Sequence, residues 1–352
     1  VLPRFVAVLL LAVWPLWVHA DPIPPVVDWT VPDDLPWQTP PSASPAHRYT
    51  VPTVGGDTDL VYHNPEFWDF MWRFPGDYVA LWDKAMQEEA IPYWGAVVLS
   101  TGVLIYYDQK LINGAQNLGR RWGIGNKDNT KPYFSIFGQP IRGPSDVGSA
   151  MYFIGDGWLH SSFALGFLGY GYFGEDSRAL RTGSELVEGL MTTAFATQTL
   201  KHITGRESPI RATQGGGVWR FFPNQIDYHQ HVPSFDAFPS GHLATGVMTV
   251  TVIAENYPEY TFVQPLGWTL LGLLSFQMMN NGVHWASDYP LAIAMGYGFG
   301  KVAVARGRAI EAHSANRAAG IRRDAPQGWD ALRLAPMVTA DGSMGIGVEY
   351  PF

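Results

Sequence analysis

The sequence predicts an all-α fold: a helical bundle of about six core helices, with a Pro-rich N-terminal arm and a short C-terminal β-hairpin. Three observations lead there. Six uncharged, apolar stretches are separated by Gly, Pro and charged residues. The 352 residues are 47% hydrophobic and 15% charged, which is enough apolar material for a sizeable core. Strand-like alternation around a turn is confined to the C-terminal end.

Taken in order, residues 1–20 read as a signal peptide. Arg4 gives a basic start, residues 5–18 are apolar, and Val18-His19-Ala20 supplies small residues for cleavage after Ala20. An uncleaved anchor helix is the alternative, and both readings export the chain to the periplasm. Residues 21–90 form the next unit. Its first part, 21–58, is Pro-rich, is interrupted by Trp29 and Trp37, and keeps no period, so it reads as an extended arm. Residues 66–90 read as a leading helix broken at Pro75.

The core domain, 91–310, follows. Its uncharged stretches run over 90–107, 157–174, 189–200, 237–254, 260–287 and 289–300. Two of them are too short to cross a bilayer, bounded by Glu185, Glu188 and Lys201 in one case and by Asp288 and Lys301 in the other. A soluble or membrane-associated bundle is therefore expected, with an integral membrane protein whose site faces the periplasm as the alternative. Residues 301–323 are Ala/Arg-rich and read as an exposed, basic continuation of the last helix. In the tail, 311–352, residues 332–339 and 344–350 flank Ala340-Asp341-Gly342-Ser343 and predict the hairpin.

Composition excludes several classes of function. A formal net charge of -8 is wrong for general nucleic-acid binding, which relies on Lys and Arg. The absence of Cys rules out disulfides, thiolate metal sites and cysteine nucleophiles. Fourteen Trp fit a bulky core, a membrane-facing belt or a ring-lined pocket alike.

Three segments place polar residues in apolar surroundings. In the first, residues 201–209, a helix ending near Gly205 puts Lys201 in its last turn and Arg206 just beyond, so two cations can converge on one anion. Taken alone, such residues are an ordinary complement to the helix macrodipole. The second segment is Pro239-Ser240-Gly241-His242. Ser240 reads as an N-cap, Gly241 lets the backbone approach a ligand, and His242 sits in the first turn, where it can protonate a departing alkoxide. The third holds His284 and Asp288. Four residues apart on a helix, they would share a face, with the carboxylate accepting from one imidazole nitrogen and leaving the other free to attack phosphorus; taken alone, such a pair is equally a structural hydrogen bond or half a metal site.

In this order and spacing the segments resemble the type 2 phosphatidic acid phosphatase superfamily, which includes bacterial class A acid phosphatases and vanadium-dependent haloperoxidases. Its motifs are Lys, six residues, Arg-Pro; Pro-Ser-Gly-His; and Ser-Arg, five residues, His, three residues, Asp. Residues 239–242 match the second completely, His284 and Asp288 match the end of the third, and Lys201 and Pro209 match the ends of the first. The resemblance covers roughly residues 183–308. It implies that His284 is the nucleophile, Asp288 its orienting partner, and His242 the acid for the leaving group and then the base for water. It also implies that Lys201, Arg206, Ser240 and Gly241 hold the phosphoryl oxygens, with no metal or other cofactor required.

The chain departs from the pattern twice, with Ser208 where the first motif has Arg and Gln277-Met278 where the third has Ser-Arg. Charge-assisted hydrogen bonds are worth about 1.5–3 kcal/mol each, so losing two could cost on the order of 10² to 10⁴ in transition-state binding. Arg211, Arg220, His229 and His231 are the nearby residues that could substitute. The expected function is a phosphatase acting on a phosphomonoester, either a phosphorylated small molecule or an envelope lipid phosphate. The competing readings are a non-catalytic phosphate or phospholipid binder and a vanadate-dependent haloperoxidase.

Overall fold

The computed structural model describes residues 46–53, 56–136, 139–312, 333–338 and 344–349, together with Val27, Trp29 and Val31. The signal-peptide reading of residues 1–20 and most of the arm lie outside the described residues. Among the described residues nine α-helices carry the fold: α1 (Asp69–Ala85), α2 (Ile91–Trp122), α3 (Val147–Phe153), α4 (Gly157–Phe173), α5 (Ser177–Thr204), α6 (Gln225–Gln230), α7 (Gly241–Asn256), α8 (Val263–Asn281) and α9 (Tyr289–Gly307). The strands are β1 (His47–Thr53), β2 (Gly56–Tyr62), β3 (Thr130–Ile136), β4 (Gln139–Pro144), β5 (Arg308–Ala312), β6 (Arg333–Val338) and β7 (Met344–Glu349).

The chain is thus an all-α bundle with small antiparallel β-elements. Helix α7 sits at its centre and packs against α4, α5, α8 and α9. Its closest partner is α9, and the approach is made possible by small residues: a Cβ on Gly296 would lie 2.2 Å from the Ala244 carbonyl oxygen. Helix α1 leans on α5 and α9, and α2 leans on α8 and α9. Leu243, Val247, Leu271, Leu274, Met278 and Trp285 contribute to the main apolar cluster.

Helix starts follow local chemistry. Asp146, Asp156, Asp176 and Ser240 each cap a helix by accepting a backbone N–H from its first turn. Helices α2, α5 and α8 end on Gly123, Gly205 and Gly282 in the left-handed region.

Several expectations need correction. Residues 47–62 are not a featureless arm: β1 and β2 form a hairpin in register from His47↔Tyr62 to Thr53↔Gly56. Pro75 lies inside the continuous α1 rather than breaking it. Helix α5 begins well before residue 189, because Arg178, Arg181, Glu185 and Glu188 are buried within it rather than marking its edge. The last helix stops at Gly307, and residues 308–312 turn into β5, which pairs with β2 instead of continuing as a basic helix. The C-terminal hairpin is formed by β6 and β7.

Helix α1 is inverted relative to a water-facing helix. Asp69, Arg73, Asp77 and Lys84 are buried, while Trp68, Trp72 and Trp82 are exposed, Trp72 by 64%. The buried charges are matched across the helix interfaces. Arg181 pairs with Asp69 at 2.9 Å, Arg306 pairs with Asp77, and Arg73 donates to the Arg306 carbonyl at 2.6 Å.

Candidate active site

Three elements of the bundle bring the polar segments together. Lys201 lies in the last turn of α5, His242 in the first turn of α7, and His284 in the connection between α8 and α9. The His242 and His284 rings have centroids 6.2 Å apart at 69°. Tyr152, on α3, stacks at a tilt against His242 with a centroid distance of 4.9 Å. Burial, together with His284, Lys201 and His160, lowers His242 to about 3, so its imidazole is neutral near pH 7.

His284 is buried and does not sit on a helix with Asp288. Helix α8 ends at Asn281, and Asp288 closes a one-turn 3₁₀ helix (Ala286–Asp288). The imidazole Nδ1 is 2.7 Å from the Ala237 carbonyl oxygen and 3.4 Å from Asp288 Oδ2. A carbonyl can only accept, so Nδ1 carries the proton and Nε2 keeps its lone pair. Asp288 in turn accepts from the Trp285 backbone N–H at 2.7 Å and from Arg206 Nη1 at 2.5 Å.

Arg206 is placed behind this pair. Its Nη1 donates to Ser287 Oγ at 2.7 Å and to Asp288, and its Nη2 donates to Asp108 Oδ2 at 2.7 Å and to the Gly216 carbonyl at 2.8 Å. The guanidinium lies over the rings of Trp219 and Trp285, 4.7 and 5.6 Å from their centroids. Its terminal nitrogens are thus occupied by protein acceptors. Lys201, in contrast, is paired among the described residues with Asp236, whose Oδ2 lies 3.5 Å away. Asp236 also accepts from Ser208 Oγ at 3.3 Å.

Ser240 Oγ accepts the Leu243 N–H at 3.4 Å and contacts Met278 Sδ at 3.5 Å. Gly241 meets only Thr197 closely: a Cβ there would sit 3.4 Å from the threonine methyl group. Met278, at one of the two positions where the pattern has an arginine, is fully buried in the apolar cluster. Gln277 donates to the Gly125 carbonyl at 2.7 Å and to Asn281 Oδ1 at 2.6 Å, pinning the loop after α2.

The four candidate substitutes have other surroundings. Arg220 pairs with Glu207 at 2.6 Å, His231 with Asp227 at 2.8 Å, and His229 rests against His202 and Tyr228. Arg211 is exposed on a one-turn helix (Pro209–Arg211). Glu207 organises the loop that follows it, accepting from Thr213 N–H at 3.0 Å, Val218 N–H at 3.0 Å and Arg220. These hydrogen bonds hold its carboxyl below the ordinary range against the opposing effect of burial.

Sequence reasoning missed Asp108, Tyr152, Asp236 and Ser287. Of these only Asp108 left a signal, as the first charge after the uncharged stretch in α2. A cavity of about 330 Å³ opens beside Trp285, walled by Gln109, Ile112, Gln116, Pro209 and Thr213, and neither histidine lines it. Among the described residues no cluster of three or more His, Asp or Glu side chains is arranged to hold a metal.

Comparison with known proteins finds one similarity, and it spans the three polar segments. Residues 183–309 match the family model of the PAP2 superfamily, and over this segment the chain is similar to that superfamily. Members of that superfamily are generally phosphatases acting on phosphorylated small molecules or lipids. No curated protein and no solved structure matches the chain.

Proposed function

We propose that this protein is an exported, metal-independent phosphatase that hydrolyses a phosphomonoester through a phospho-histidine on His284. The observation that supports it most is the pairing of two imidazoles 6.2 Å apart, one of them with Nδ1 tied to a carbonyl so that Nε2 is a free nucleophile. In this reading Nε2 of His284 attacks phosphorus, and Asp288 supports the cationic ring. His242 passes a proton to the departing alkoxide and then takes one from the water that splits the P–N bond. Lys201 and the N–H groups at the start of α7 receive the phosphoryl oxygens, with the Ser240 hydroxyl retained mainly as cap.

The test compares wild type with His284→Ala on an aryl phosphate and on lipid phosphates. Loss of the nucleophile should lower kcat by about 10³-fold or more. Equal rates for the two proteins would instead support a non-catalytic phosphate binder, a reading favoured by the Lys201–Asp236 pair and by the buried Met278 in place of an arginine.

A lipid phosphate, and a position on the envelope membrane surface, are supported by the outward Trp residues of α1 and by α2. Residues 88–122 are long and apolar enough to cross a membrane, and most of that length is exposed.

A further inference from the structure

We propose that Asp108, on α2 and outside the segment that matches the family, is a positioning residue for His284, balancing Arg206 so that Asp288 keeps its charge for the imidazole. The inference rests on the phosphatase reading above. Asp108 is 0% exposed. Its Oδ2 accepts from Arg206 Nη2 at 2.7 Å and from Ser287 Oγ at 2.5 Å, and its Oδ1 accepts from the Ser287 backbone N–H at 3.0 Å. The same guanidinium reaches Asp288 Oδ1 at 2.5 Å, and the other oxygen of Asp288 lies 3.4 Å from His284 Nδ1.

Counting charge shows what Asp108 contributes. Arg206 and Asp288 alone sum to zero, so the carboxylate behind the nucleophile would be cancelled by its own neighbour. With Asp108 present, the three groups carry one net negative charge, at a place where water does not screen it. That charge is needed when phosphorylation makes the imidazole cationic. Facing His284 are Asp288 and, through it, Arg206 from the α5 side, with Asp108 and Ser287 completing the cluster. His242 lies opposite, near Lys201. Asp108 also fixes geometry: by taking the Ser287 N–H it ties the 3₁₀ turn that holds Asp288 to α2.

The test uses the full-length protein with Asp108→Asn, which keeps shape and removes charge. Turnover of an aryl phosphate should fall about 10- to 100-fold in kcat with KM changed by less than about threefold, because the lost support acts after substrate is bound. NMR titration of the His284 side chain, read without substrate, should move to lower pH by on the order of half a unit, since removing a carboxylate disfavours the protonated ring. A folded Asp108→Asn with wild-type kcat and an unmoved His284 titration overturns the proposal, whatever happens to its melting temperature. If wild type itself shows no turnover, the phosphatase reading fails, while the titration still decides the role of Asp108. Should Asp108→Asn not fold, Asp108→Glu carries the test. It retains the charge, so the His284 midpoint should stay at the wild-type value, and a fall of about half a unit would overturn the idea.

Discussion

His242 is neutral in the free protein, held at about 3 by burial and by His284, Lys201 and His160 around it, and a general acid must nonetheless hold a proton. A tetrahedral dianion between the imidazoles reverses the local charge, so the proton should enter with the ligand. The sign follows. Near pH 6 the free protein has His242 deprotonated, a bound anion raises it, and binding therefore takes up a proton. Calorimetry with sulfate, which does not titrate in this range, in two buffers of different ionisation enthalpy should show uptake of about one proton; uptake near zero would remove His242 from the acid role. The same lowering acts on folding. The unfolded chain binds a proton near the ordinary histidine pKa and the folded chain does not, so stability contributed by neutral His242 is lost as pH falls from about 6.5 toward 3. Buried His160, lowered to about 4, adds to this loss. At this scale the sequence was readable where chemistry is local. Residues 239–242 announce a capped helix start, and His284 with Asp288 announces an imidazole beside a carboxylate. Partners drawn from far along the chain were hidden. Asp108 meets Arg206 across 98 positions, and Asp236 meets Lys201 through a loop whose path no periodicity reveals.

Among the elements, the pairing of α7 with α9 controls the site, because α7 begins at the residue before His242 and α9 begins at the residue after Asp288. The two helices touch through Gly296, where an added Cβ would fall 2.2 Å from the Ala244 carbonyl and 2.9 Å from Val247 Cβ. Gly296→Ala should force them apart and cost on the order of 1–3 kcal/mol in denaturant unfolding. An unchanged midpoint would mean that the helices can accommodate a methyl group and are not tightly coupled. The apolar stretches of the sequence located α2, α4, α5, α7, α8 and α9, since length and lack of charge suffice to mark an apolar helix, whether buried like α7 or largely exposed like α2. They misplaced the start of α5, whose buried ion pairs look like a boundary in one dimension. They also missed two local hairpins, β1–β2 and β3–β4, whose strands lack clear apolar alternation, and β5, which the fold brings to the edge of β2.

At the scale of the whole molecule, apolar surface is spread over several flanks. Trp72 and Trp82 on α1, Val98 and Leu99 on α2, Leu165 and Tyr172 on α4, and Leu266 and Leu273 on α8 are all exposed. Each of these helices packs against at least one of α5, α7 and α9. A lipid surface can meet several such flanks together more readily than a single partner patch can. The full-length protein should float with anionic or neutral liposomes in a density gradient, and Trp72→Glu with Trp82→Glu should weaken that association. A protein that stays at the bottom of the gradient as a monodisperse species would contradict the membrane-surface reading.

The inverted α1 also makes the molecule its own optical gauge. Indoles that stand outward emit at a colour set by whatever touches them, so transfer from buffer to an oily contact would shift the native emission toward blue without any attached dye. The charges that a water-facing helix would spend on solubility are instead locked inside as struts between α1, α5 and α9.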